Sequence, residues 1–462
     1  MAENGGLDFV LGIDLGTTTV KVALVDSKDN TVVQTLSRET KATVPNDLGP
    51  LGDEQDPERV LTALQFCVSG LPKEKLLRVS RVGISGQMHG IIFWKSRAGW
   101  TQNNFGRFDP DKTSQLFTWQ DGRCTKDFLS KLPEPDSHLR LATGMGCATV
   151  FWFMENKPSF LEDYDCAGTI QDFVVAMLCH LERPVMSIQN AASWGYFDTV
   201  SKQWNSERLS AAGFPIHFLP KVCDTGTLVG HLECAWYNIP EGTPIGAAFG
   251  DLQCSMYSSL QQEHDAVLNI STSAQLAFQM PTDFVPPSTN PDDTINYFPY
   301  FNDRYLAVAA SLTGGNTMAA FVKMLQQWTH ALGLGVPENK IWERVLALGQ
   351  ECHDTDLEIV PTIYGERHKP DQHASVTHIS TLNLTLGSVY RSLCRGIISN
   401  LYSMMSSEFL IGSNIKRIVG SGSALTKNCV LQEEVEGHYK LPVTYGNGVD
   451  AAVGAALVIL KH

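Results

Sequence analysis

The sequence predicts an α/β protein of two similar halves, each built on a partly parallel sheet. Three observations carry this. Residues 8–25, DFVLGIDLGTTTVKVALV, are two apolar runs (9–13 and 20–25) around a turn of Asp14, Gly16, Thr17, Thr18 and Thr19. That is the pattern of a β-hairpin with a polar tip. Residues 266–280, AVLNISTSAQLAFQM, repeat the strand, the hydroxyl-rich turn and the strand, with Ser271, Thr272 and Ser273 at the tip, a weak internal duplication. After each hairpin, strand and helix patterns alternate, which is how a sheet acquires parallel neighbours.

The elements follow in order. In the first half a third strand is expected over 31–39, a helix over 57–69 and a strand over 79–85, with alternation continuing to about residue 250. In the second half a strand over 305–310 precedes a helix that starts after Thr313-Gly314-Gly315-Asn316 and runs to about 332. Val389, Leu393, Ile397, Leu401 and Met405 recur at helical spacing, so 386–411 reads as one long buried helix. A strand at 415–419, the turn Gly420-Ser421-Gly422-Ser423, a helix near 426–437, a strand at 441–445 and a helix at 449–461 close the chain. Residues 281–294, rich in Pro, Asp and Thr, read as an exposed loop.

Composition narrows the function. A hydrophobic fraction of 43% over 462 residues is ample for large cores. The formal charge is −14, with Lys and Arg scattered, so neither nucleic acid nor an anionic membrane is the expected partner. Eleven cysteines at irregular spacing, without a CxxC pair, read as buried reduced thiols. The N-terminal residues lack a charged and then apolar leader, and no apolar run is long enough to span a bilayer. A cytoplasmic protein is expected.

The two hairpin tips suit phosphate, because turns rich in glycine and hydroxyls aim N–H and O–H donors at one anion. A nucleotide held in a cleft between the halves follows. Asp14 enters the first tip with a carboxylate suited to a hydrated Mg²⁺. Lys21 points toward the same tip, or is an exposed strand lysine. Asp251, in Gly246-Ala247-Ala248-Phe249-Gly250-Asp251, is the candidate base for a hydroxyl attacking phosphorus; a helix N-cap is the competing reading. Gly86-Gln87-Met88-His89-Gly90 and Thr118-Trp119-Gln120-Asp121-Gly122-Arg123 offer an aromatic plate and directional polar groups for a polyol. Structural roles for this His and Trp remain open. The Gly420–Ser423 turn is either a tight turn or a contact with adenosine. His353, His368, His373 and His378 do not have zinc spacing.

In combination these segments resemble the FGGY family of carbohydrate kinases over nearly the whole chain. The matching stretches are DLGTTTVK (14–21), ISGQMHG (84–90), TWQDGR (118–123), FGD (249–251), NISTS (269–273), YGER (364–367), GSVYRSLCRGI (387–397), GSGSALTKN (420–428) and DAAVGAAL (450–457). The resemblance implies a two-domain actin-like (ribonuclease-H-like) ATPase fold with an interdomain active-site cleft. Residues 1–262 would carry sugar binding and the base, and 263–462 the nucleotide. It implies ATP and Mg²⁺ as cofactors. Asp251 would be the catalytic base, and Asp14 with Asp251 the metal-side carboxylates. Thr17, Thr18, Lys21, Thr272 and Ser273 would contact phosphate. Gly314, Gly420, Ser421, Gly422 and Asn428 would contact the nucleotide. Gln87, Met88, His89, Trp119 and Asp121 would join Asp251 around the sugar.

The Gln87-Met88-His89 segment resembles the ketose kinases of the family more than its glycerol kinases. The implied reaction is transfer to the terminal primary hydroxyl of a ketose, sedoheptulose at C7 first, with xylulose or another pentulose as the alternative. The protein would be a monomer or homodimer. Ser271, Ser421 and Ser423 depart from the family's usual glycines, and the second domain is shorter than in many relatives. A non-catalytic actin-like nucleotide-binding protein would share the hairpins but need neither the sugar segments nor Asp251.

Overall fold

The computed structural model describes residues 8–104, 106–260, 262–288, 290, 293–369, 371–446 and 450–461. Its two large sheets share one wiring. In the first, Phe9–Leu15 and Thr19–Asp26 form the hairpin, and Val32–Glu39 extends it antiparallel. Val79–Gly86 then joins parallel to Phe9–Leu15, and Pro244–Gly246 and Phe249–Gly250 pair parallel with Val79–Gly86. In the second, Asp265–Ile270, Ala274–Gln279 and Tyr305–Ser311 make the antiparallel meander. Arg417–Ser421 joins parallel to Asp265–Ile270, and Val443–Tyr445 is parallel beyond it. The duplication read from two hairpin tips thus extends to whole sheets.

The first strand is apolar at nearly every position because helices cover both of its faces. Leu11, Ile13, Val22 and Leu24 pack with Val60, Leu61, Leu64 and Val68 of the helix Pro57–Ser69. That helix forms where expected: Asp56 Oδ1 accepts from the Glu58 N–H at 2.8 Å, and Pro57 needs no donor at the first helical position. On the opposite face Val10 and Val25 pack with Ala455, Ala456 and Ile459 of the last helix, Ala451–Lys461. A side chain at Gly12 would overlap the Ala452 carbonyl, so glycine there sets how closely helix and strand approach.

Val267, Ala277, Val308 and Val419 of the second sheet join that same cluster, with Phe249, Cys254 and Met256. The helices Asp251–Ser259 and Ala451–Lys461 are therefore shared by both sheets, although the last helix follows the second sheet in sequence.

Local expectations fare unevenly. The expected helix over 386–411 is two helices, Leu386–Met404 and Ser407–Gly412. Met405 is extended, and the Ser406 hydroxyl accepts from the Phe409 N–H to start the second. The helix near 426–437 starts earlier as Ser423–Thr426 and restarts as Cys429–Tyr439 after the Asn428 cap. No described residue of 281–294 belongs to a helix or strand. No described helix is long and apolar enough to cross a membrane. All eleven cysteines are free and seven are buried.

Candidate active site

Register assembles the acidic end of the site. In the parallel strands Asp14 lies opposite Ser85, Ser85 opposite Phe249, and Gly86 opposite Gly250. Three adjacent strands therefore end together, and Asp251 follows at once as the first residue of its helix. The crevice beyond the carboxyl ends of parallel strands is where α/β sheets hold ligands. Gly250 occupies the cap position, so Asp251 is not the N-cap; its Oδ1 accepts from the Leu252 N–H at 2.7 Å.

Both carboxyls sit where charge is costly. Desolvation, then the Asp251 charge, raises Asp14 to about 7, against a hydrogen bond from Ser85 Oγ at 3.2 Å and the Lys21 charge. Desolvation raises Asp251 to about 6. Lys21 stands across the hairpin from Asp14, with Nζ 3.4 Å from Asp450 Oδ2. Two mutually disfavoured carboxyls suit a divalent cation that takes its remaining ligands from water and phosphate. Among the described residues no group of three or more His, Cys, Asp or Glu could hold a metal ion by itself.

A cavity opens from Asp251. Thr17, Met88, His89, Trp119, Ser273, Phe298 and Arg367 line it. Trp119 Nε1 donates to Thr17 Oγ1 at 3.0 Å, and Thr17 Oγ1 donates to Gln87 Oε1 at 3.3 Å. Gln87 Nε2 donates to Gln55 Oε1 at 3.1 Å, and Gln55 Nε2 donates to the Thr17 carbonyl at 2.8 Å. Gln87 is buried behind the lining and holds Thr17, which orients the indole. His89 has a φ of 73°, a left-handed conformation that turns the chain at the strand end. Its Nδ1 lies 2.8 Å from the Ser193 carbonyl. A carbonyl only accepts, so Nδ1 carries the proton. Desolvation and the Arg367 charge lower the imidazole to about 4, which leaves Nε2 as a neutral acceptor.

Asp121 does not reach this cavity. It is fully buried, and its oxygens accept from Arg123 Nε at 2.7 Å, Arg123 Nη2 at 3.0 Å and the Asp53 N–H at 2.9 Å. The Thr143 hydroxyl donates to its carbonyl at 2.7 Å. Asp121 thus anchors the segment that carries Trp119.

The second hairpin tip stands between this cavity and another. Ser273 lines the first, and Ser271 and Thr272 line the second. The second is completed by Gly315, Asn316, Trp342, Leu346, Tyr390, Ala424, Lys427 and Asn428. The helix Gly315–Ala331 is docked on the tip: the N–H groups of Gly315 and Asn316 donate to the carbonyls of Ser271 and Thr272 at 2.8 and 3.0 Å. Asn428 Oδ1 caps Cys429–Tyr439 through the Val430 and Leu431 N–H groups, and its Nδ2 donates to the Tyr390 hydroxyl at 3.0 Å. Gly314, Gly420, Ser421 and Gly422 are not among the residues that line this cavity. Side chains at Gly314 and Gly422 would overlap the hairpin backbone, and Gly422 also has a φ of 89°. Gly420 and Ser421 end a buried strand. Thr18 is exposed and outside both cavities.

Phe298, Arg367, Trp342, Tyr390 and Lys427 are lining residues that sequence reasoning did not assign. Arg367 and Tyr390 fall in the stretches YGER and GSVYRSLCRGI, the available signal for them.

Residues 9–257 match the model of the FGGY family of carbohydrate kinases, N-terminal domain. The chain is 52% identical over 465 residues to the sedoheptulokinase of Homo sapiens, covering 98% of this chain and 97% of that one. It is 52% identical over 462 residues, with the same coverage, to the sedoheptulokinase of Mus musculus. The xylulose kinase structure from Rhodospirillum rubrum superposes with a TM-score of 0.80 at 19% identity, covering 97% of this chain and 89% of that one. The Plasmodium falciparum glycerol kinase structure with ADP gives 0.76 at 18%, covering 99% and 90%. The fold is thus the two-domain actin-like ATPase fold expected from the sequence. The protein is an enzyme, a carbohydrate kinase, and the chain belongs to the FGGY family.

Proposed function

We propose that the protein transfers the γ-phosphoryl group of ATP to the C7 hydroxyl of sedoheptulose. The observation that carries the chemistry is the second hairpin tip, whose Ser273 faces the cavity of Asp251 while Thr272 faces the other cavity. A triphosphate bound in the second cavity can reach past the tip to a hydroxyl beside Asp251. Full-length identity to two sedoheptulokinases supports the choice of sugar.

The sugar's C–H face packs on Trp119, and its hydroxyls meet His89 Nε2 and Thr17. Asp251 accepts the terminal hydroxyl's proton as that oxygen bonds to phosphorus. With its carboxyl near 6, it is ionised at neutral pH and still basic enough for the task. Asp14 and Asp251 would hold Mg²⁺, which when bound neutralises charge on the phosphate oxygens. Thr17, Lys21, Thr272 and Ser273 serve the phosphates; Thr18 offers its backbone turn. Gly314, Gly420, Ser421 and Gly422 serve the nucleotide indirectly, by packing against the second hairpin, and Asn428 lies in the wall of the ATP site. Gln87 and Asp121 act on the sugar through Thr17 and Trp119. The working division is near residue 262, with the last helix returning to the first sheet. Closure of the halves would exclude water.

A coupled assay of kcat/KM over C5 to C7 ketoses, with ATP and Mg²⁺, tests the reading. Sedoheptulose is expected to lead. A pentulose with the higher value would move the assignment to that sugar, and absence of turnover with every ketose would refute it.

A further inference from the structure

The sugar cavity contains a cation that the proposed mechanism leaves unused. Arg367 lines it together with His89 and Asp251. Among the described residues, its guanidinium takes part in no hydrogen bond or ion pair. The side chain is exposed to solvent and contributes to the cavity lining. Its donors are taken by no described residue and stay free for a ligand in the cavity that supplies acceptors.

The backbone under Arg367 is fixed. Glu366, its neighbour, is buried; its Oε1 accepts from Ser311 Oγ at 2.6 Å and Asn400 Nδ2 at 2.7 Å, and its Oε2 from the Leu312 N–H at 3.0 Å. Main-chain bonds between Glu366 and Lys369, at 3.2 and 2.9 Å, close the turn on the other side. The guanidinium is thus presented to the cavity by a pinned turn of the second half.

Arg367 stands close enough to His89 for its charge to act on the imidazole, and both line the cavity that Asp251 lines. With the terminal hydroxyl at Asp251, the rest of a ketose must meet the remaining lining, of which His89 and Arg367 are polar side chains near each other. The other end of a ketose carries oxygens on adjacent carbons, the C1 hydroxyl and the C2 carbonyl. A guanidinium presents paired donors in a planar fork that matches two neighbouring acceptors.

We propose that Arg367 is a specificity-determining residue that reads the C1–C2 oxygens of the ketose while His89 flanks them from the first half. The inference rests on the ketose-kinase reading and adds to it the part of the substrate that is recognised. It also makes sugar binding depend on both halves, because Trp119 and His89 come from one and Arg367 from the other.

The test compares the unaltered enzyme with R367A and R367K on sedoheptulose and its 1-deoxy analogue, with the KM for ATP and a thermal melt for each variant. R367A is expected to lower kcat/KM for the full ketose about 10- to 100-fold, the range for a charge-assisted hydrogen bond, chiefly through KM. The 1-deoxy analogue falls less, so the preference between the two sugars collapses. R367K recovers part of the loss, and the KM for ATP and the melting temperature stay within error. An unchanged preference in folded R367A and R367K, or an equal rise in the KM for ATP, overturns the inference while the ketose-kinase reading stands. Absence of ketose turnover in the unaltered enzyme overturns both.

Discussion

Asp251 raises the pKa of Asp14: the two carboxyls meet beyond the ends of neighbouring parallel strands, and burial and repulsion bring Asp14 to about 7. Activity should carry the signature of this pair. A base must be ionised, so kcat/KM is expected to fall as pH drops through about 7 to 6, the values of Asp14 and Asp251. Added Mg²⁺ competes with protons for the same oxygens and should move the acid limb to lower pH. A pH profile at two Mg²⁺ concentrations measures both; a limb insensitive to Mg²⁺ counts against a metal at this pair.

The same pair costs stability, and the sign is definite. Asp14 binds its proton more tightly folded than unfolded, so between its ordinary value of 3.8 and about 7 the folded state holds the extra proton. Stability from this group is therefore greatest at low pH and declines as pH rises through that window. Asp14→Asn is expected to stabilise the protein at pH 8 by about 1 kcal/mol or more, with a smaller gain at pH 4, while activity is lost. Denaturant melts at the two pH values decide it; a destabilised variant at pH 8 would contradict the assignment.

Asp121 has the opposite profile. Asp121→Asn weakens a buried pair with Arg123 and is expected to cost about 3–5 kcal/mol, the range for breaking such a pair. The folded fraction should keep a sugar KM within a few-fold of the unaltered enzyme, because the carboxylate lies off the cavity. A large rise in KM without loss of stability would make Asp121 a direct sugar contact.

Asn428→Ala removes a cap and a hydrogen bond to Tyr390 at once. A loss of about 1–2 kcal/mol is expected from the cap alone. Because Asn428 and Tyr390 both line the second cavity, the KM for ATP should rise while the KM for sugar holds. A sugar-selective effect would reverse the assignment of the two cavities.

Much of this arrangement was written locally. Both hairpins and the helix Pro57–Ser69 emerged near their expected bounds because period and cap signals lie within a few residues of each other. Asp251 could be singled out because a glycine and an acidic residue preceded an apolar segment. The remainder is set by contacts distant in sequence. Nothing near Asp121 says that its partners include the backbone N–H of Asp53, 68 residues away. Gly420 and Ser421 resembled a ligand loop, but parallel pairing with Leu268 and Asn269 draws them into a strand. Arg367 had a motif around it but no local pattern to reveal the cavity it would line. The break at Met405 was masked by apolar spacing that continues across it.

The central claim is that Asp251 readies a ketose hydroxyl for phosphoryl transfer at the junction of the two cavities. Phosphorus NMR of sedoheptulose, ATP and Mg²⁺ with the unaltered enzyme and with Asp251→Asn tests it most directly. The account predicts a new 7-phosphomonoester with the first and formation at least about 100-fold slower with the second, the variant folded by circular dichroism. Equal rates of product formation by the two proteins would contradict it.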